Sequence, residues 1–145
     1  MVSVVKNFRH IGIVSYDISN SLNFYCNLLD FKIEKRSIEK PDFIKNILDF
    51  NNPVELETIK LSNNNQIYIE LLNFKNQGDL NLKKINDFGI THFALTIHNS
   101  DNLYKTLIEN NYKVLSRPFL NAEKTAKVFF VVAPDNVYIE LVEVL

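Results

Sequence analysis

The chain has 145 residues, enough for one domain with a sizeable core or for two half-size units sharing one. Apolar residues make up 46% and charged residues 23%, ordinary globular proportions that exclude a large disordered tail. A net charge of -1 leaves no electrostatic footprint for nucleic acid or an anionic membrane, and the lone Cys26 excludes both an internal disulfide and a cysteine-based zinc site. The opening MVSVVKNFRH lacks the apolar core of a signal peptide. No stretch approaches the roughly 20 apolar residues of a membrane span, so a cytoplasmic protein is expected.

HIGIV, from His10, predicts a first strand, and Ser19 is a plausible N-cap for a helix burying Leu22, Tyr25, Cys26 and Leu29. FKIEKRSI reads as a second strand. Pro41 ends it, and DFIKNILDF predicts a short helix with Phe43, Ile44, Ile47 and Leu48 on one side. VELETIKL is a third strand, SNNN a turn and QIYIELL a fourth strand; the polar stretch from about 75 to 88 is a linker. The order then repeats. HFALTI is a strand, Ser100 or Asp101 caps a helix burying Leu103, Leu107 and Ile108, and YKVLSRPF, AKVFFVV and VYIELVEV are strands, with APDN turning into the last.

Two internal matches support the repeat. RHIGIVSYDISNSLNFYCNLLDFKI resembles THFALTIHNSDNLYKTLIENNYKV, and the tetrapeptide YIEL occurs twice, from Tyr68 and from Tyr138. His10 and His92 are 82 residues apart but Glu70 and Glu140 only 70, so the first copy carries about a dozen extra residues, at about 39–53. The expected fold class is α+β: one domain of two tandem βαβββ modules, about 6–74 and 89–145, forming a curled, mainly antiparallel sheet with helices outside.

Strand alternation makes a geometric claim. His10, Gly12 and Val14 share one face; His92, Ala94 and Thr96 share the equivalent one, and the larger apolar face is left for the helices. On the fourth strands the matching faces are Tyr68, Glu70, Leu72 and Tyr138, Glu140, Val142, backed by Ile67, Ile69, Leu71 and Val137, Ile139, Leu141. Two halves related by a pseudo-twofold bring His10, Glu70, His92 and Glu140 around one point. Two imidazoles and two carboxylates suit a divalent Zn, Ni, Co, Mn or Fe ion, and a cation offsets the several kcal/mol that an unpaired buried carboxylate costs. His98 is expected in a turn, Cys26 in packing, and Tyr68 and Tyr138 in the core lining.

With those four residues in two βαβββ modules, the chain resembles the vicinal oxygen chelate superfamily of glyoxalase I, methylmalonyl-CoA epimerase and extradiol dioxygenases, over nearly its whole length. RHIGIVSYDISNSLNFYCNLLDF is similar to the family's opening, and GITHFAL and DNVYIELVE to its second module. The resemblance implies His10, Glu70, His92 and Glu140 as metal ligands, a small-molecule substrate and a homodimer. It implies a metal-dependent lyase or isomerase acting through an enediolate or enolate, with Glu140 first and Glu70 second as proton carrier. An extradiol-type dioxygenase and a non-catalytic antibiotic-binding protein are the alternatives.

HIGIVS departs from glyoxalase I, which carries a basic residue on this strand for glutathione. Glu55 or Glu57 is a candidate second base by similarity to the epimerase. With no Arg or Lys on the cavity face of the four ligand strands, an anionic substrate group is expected to be held from the rim by Arg36, Lys40, Lys45, Arg117, Lys124 or Lys127.

Overall fold

A computed structural model describes residues 4–64, 66, 68–80 and 82–145. The chain divides into two compact units, Met1–Asp79 and Leu80–Leu145.

The first unit contains β1 (Ile11–Val14), α1 (Ile18–Leu22) running into a π-helical turn (Asn23–Leu28), β2 (Lys32–Glu39), α2 (Pro41–Leu48), β3 (Leu56–Ser62) and β4 (Tyr68–Phe74). The sheet order is β1-β4-β3-β2, with β1 parallel to β4 and the other pairs antiparallel. Register pairs Ile59 with Leu71 and Leu61 with Ile69, and all four are fully buried on one face together with Ile13. Each such side chain stabilises the fold by about 1.5–3 kcal/mol. The predicted turn and fourth strand include Asn65 and Ile67, which lie outside the described residues.

The first helix differs from expectation in cap and face. Asp17, in extended conformation, caps it by accepting from the Asn20 N–H at 3.1 Å, two residues ahead of Ser19. The amide of Leu29 then reaches the Phe24 carbonyl five residues back, at 3.2 Å. This wider turn rotates the helix surface, so Phe24 and Ser21 are buried with Tyr25, whereas Leu22, Cys26 and Leu29 are only half-buried. Asp30 in the left-handed region (φ 63°) and the Phe31 N–H to Tyr25 carbonyl bond end the segment.

Pro41 opens α2 rather than merely closing β2: it occupies the first helical turn, where its missing N–H costs nothing, and Lys40 before it is extended. Only Ile44 of the four expected apolar residues is buried, against Val54, Leu56, Phe50, Leu72 and Phe74. Phe43, Ile47 and Leu48 remain 52%, 55% and 47% exposed.

The second unit contains β5 (His92–Thr96), α3 (Ser100–Glu109), β6 (Lys113–Val114), β7 (Phe119–Leu120), β8 (Ala126–Ala133) and β9 (Val137–Val144). The order is β5-β9-β8-β6, with β7 also on β8 and β5 parallel to β9. The expected strand YKVLSRPF is split in two around Ser116–Arg117–Pro118, because Pro118 has no N–H for the ladder.

Asn99, not Ser100 or Asp101, caps α3; it sits at φ 41°, which asparagine tolerates, and accepts from the Asn102 N–H at 3.0 Å. Leu107 is buried as expected, but Ile108 is 46% exposed, and Tyr104 packs edge-on against Phe129 instead. The turn into β9 places Asp135 and Asn136 at φ 63° and 60°, again residues suited to the left-handed region.

Candidate metal centre

In the first unit, Gly12 stands opposite Glu70 across the parallel β1–β4 pair, and His10 directly precedes β1. The His10 Nε2 lies 3.6 Å from Glu70 Oε1. In the second unit, Ala94 stands opposite Glu140 across β5–β9, and His92 Nε2 lies 3.4 Å from Glu140 Oε2. The Glu70 and Glu140 side chains are only 15% and 28% exposed.

Two donors each about 2.1 Å from one zinc ion, at a tetrahedral angle, stand about 3.4 Å apart. Each His–Glu pair therefore has the spacing of two ligands of one cation. Among the described residues no group of three or more His, Cys, Asp or Glu side chains converges, so the arrangement seen is one pair in each unit. Thr91 Oγ1 is 3.0 Å from His92 Nδ1. A hydroxyl can accept from Nδ1–H, the tautomer that leaves Nε2 free to bind a metal. The sequence analysis gives Thr91 no role; its one sequence signal is its place next to His92.

The two pairs differ in their next neighbour. Across β3–β4, Lys60 is opposite Glu70, with Nζ 3.7 Å from Oε2; across β8–β9, Phe130 is opposite Glu140, and its ring meets His92 edge-on at 5.2 Å. Glu70 is thus flanked by an imidazole and an ammonium, Glu140 by an imidazole and an aromatic ring. Lys60 lies on β3, which carries no member of either His–Glu pair, so only the β3–β4 register brings it to Glu70.

Glu57 has the opposite parity. It pairs with Asn73 on the face of Ile59 and Leu71, and its Oε1 accepts from Arg36 Nε and Nη2, at 3.1 and 2.8 Å. Those Arg36 hydrogen bonds hold its carboxyl below the usual range. Glu57 therefore cannot face Glu70 as a second base, and Glu55 is exposed ahead of β3. Arg36 is engaged in that same ion pair, and Lys127 is hydrogen-bonded to Asp101 on α3. Burial pushes the Cys26 thiol up, consistent with packing rather than ligation. His98 lies in the bend after β5.

Lys60 lines two cavities of the first unit. One, of about 460 Å³, is bordered also by Phe8, Arg9, His10 and Tyr68. The other, of about 250 Å³, lies against α2 and is bordered by Phe43, Ile47, Leu48, Leu72 and Glu70.

The profile of the Glyoxalase/Bleomycin resistance protein/Dioxygenase superfamily matches residues 7–141. The chain belongs to this superfamily. A glyoxalase family protein from Bacillus cereus has 15% identity and a TM-score of 0.87, covering 99% of this chain and 97% of that one. The trypanothione-dependent glyoxalase I of Leishmania major has 18% identity and a TM-score of 0.65, covering 96% and 87%. A genomically encoded fosfomycin resistance protein from Listeria monocytogenes has 13% identity and a TM-score of 0.67, covering 95% and 93%. At these identities the likeness establishes the α+β fold and its two mixed sheets. No curated protein matches the chain by sequence. Among the described residues no helix is long and apolar enough to cross a membrane.

Proposed function

We propose that His10, Glu70, His92 and Glu140 together hold one divalent metal ion and that the protein is a lyase or isomerase acting on a small, oxygen-chelating substrate. The observation that carries this reading is the repeated register: Gly12 across from Glu70 and Ala94 across from Glu140, each with an imidazole nitrogen within 3.6 Å of the carboxylate. The bound metal supplies Lewis-acid polarisation of a carbonyl, which makes a proton alpha to it removable. Glu140 is the better proton carrier, since no ammonium is paired with it and it is the more accessible carboxylate. Glu70, between His10 and Lys60, is the better held and serves as ligand. The same reading takes the protein to be a cytoplasmic homodimer, and the ion to be Zn, Ni, Co, Mn or Fe.

A second reading, small-molecule binding without chemistry, gains from Lys60, because its ammonium balances Glu70 without a metal. Elemental analysis of protein purified without chelator separates the two. Stoichiometric metal, lost in His92→Ala, is expected. No metal, together with no thermal shift on adding zinc, nickel, cobalt or manganese, overturns the metalloenzyme reading.

A further inference from the structure

The extra residues of the first module build a pocket wall. Ile44 anchors α2 into the core, while Phe43, Ile47 and Leu48 stay half-exposed around the 250 Å³ cavity. That volume is below the roughly 300–1,000 Å³ of drug-sized ligand sites, so its occupant is small. The walls are mostly apolar, yet Glu39, Thr58, Lys60 and Glu70 line the same cavity, with Glu39 accepting from the Thr58 hydroxyl at 3.1 Å and Glu70 facing Lys60. Lys60 also borders the 460 Å³ cavity beside Arg9 and His10, so its side chain lies between the two spaces. Its side chain is 37% exposed, and at 3.7 Å its contact with Glu70 is a loose ion pair rather than a short hydrogen bond. Any cation that engages Glu70 weakens that pair and leaves the ammonium to attract another anion.

We propose that Lys60 and the slot beneath α2 form a subsite for a small organic anion with an apolar tail, the ammonium taking the head group and Phe43, Ile47, Leu48 and Leu72 the tail. This deepens the proposed function by naming a substrate class, and it rests on that reading only for the identity of the cation that draws Glu70 away. Lys60 is a binding and specificity residue in this scheme. It is the internal counterpart of the rim cations, two of which are committed to other carboxylates.

The test removes the metal from the question. In chelator, calorimetry with butanoate, hexanoate and octanoate is run on wild type, Glu70→Gln and Lys60→Met/Glu70→Gln, with hexanol as neutral control. Glu70→Gln is expected to bind hexanoate about tenfold more tightly than wild type, since the amide releases Lys60. Affinity should rise roughly fourfold per added methylene until the slot is filled. The double variant should lose the gain, and Ile47→Asp in the Glu70→Gln background, at a half-exposed position that tolerates the change, should flatten the chain-length dependence. Equal hexanoate affinity in Glu70→Gln and the double variant, no gain over wild type, or hexanol binding as well as hexanoate would overturn the proposal. Because these arms contain no metal, they remain decisive if the metal reading fails.

Discussion

Lys60 and Glu70 face one another across the β3–β4 ladder, Nζ 3.7 Å from Oε2, whereas the place across from Glu140 is filled by Phe130. The two carboxylates of the repeated YIEL motif are thus electrostatically unlike. An ammonium paired with Glu70 competes with any cation for that carboxylate. Lys60→Met is therefore expected to raise divalent-metal affinity about tenfold, equivalent to about 1.4 kcal/mol, a value held well below the bare Coulomb figure by solvent at a partly exposed pair. Zinc competition titration of the two proteins checks it; unchanged or weaker binding in Lys60→Met removes Lys60 from the site.

Thr91 supports the second pair. With Oγ1 at 3.0 Å from His92 Nδ1, it can hold the proton on Nδ1 and present Nε2 to a metal. Thr91→Val should lower zinc affinity by about tenfold, the low end for an outer hydrogen bond because the site is exposed, and Thr91→Ser should restore it. The same titration measures both, and Thr91→Ser behaving like Thr91→Val would assign the effect to packing.

Acid sensitivity is expected at the other end of the second sheet. Glu143 accepts from the Ser100 hydroxyl and backbone N–H, at 2.6 and 2.9 Å, and these bonds at the start of α3 lower its carboxyl from the ordinary value. A lowered folded-state pKa contributes stability that is present above the unfolded value of about 4.3 and is lost as pH falls through the folded value. Melting temperatures from pH 7 down to pH 3 should therefore fall more steeply for wild type than for Glu143→Gln, which starts lower. Parallel curves would show that Ser100 gains nothing from the charge.

The repeat made the βαβββ modules and both His–Glu pairs legible, because alternation fixes which strand residues share a face and the small Gly12 and Ala94 mark the space beside each histidine. What escaped depended on contacts between strands or on local backbone detail. Whether Glu57 can meet Glu70 is decided by the register between β3 and β4, and that register sends Lys60 toward Glu70 and Glu57 toward Arg36. The π-helical turn changed which residues of the first helix are buried, and no composition signal announces a hydrogen bond to the fifth residue back. In the insertion, four apolar residues at helical spacing looked alike, yet only Ile44 meets a packed core.

That last distinction can be measured. Ile44 is 2% exposed and forms a core cluster with Val54 and Leu56, against which Phe50, Leu72 and Phe74 pack, so Ile44→Ala deletes buried methyl and methylene groups and should cost about 2–4 kcal/mol. Ile47→Ala, one turn further along the same helix at a 55% exposed position, should cost less than about 1 kcal/mol. Denaturant unfolding gives both values. Hydrogen exchange locates the loss: amides of α2 should exchange faster in Ile44→Ala, while those of Ile59 and Leu71, paired in the sheet below, keep their relative protection. Equal costs for the two variants would mean that α2 is held by its half-exposed side, and that the slot beneath it is already closed by the residues that should line it.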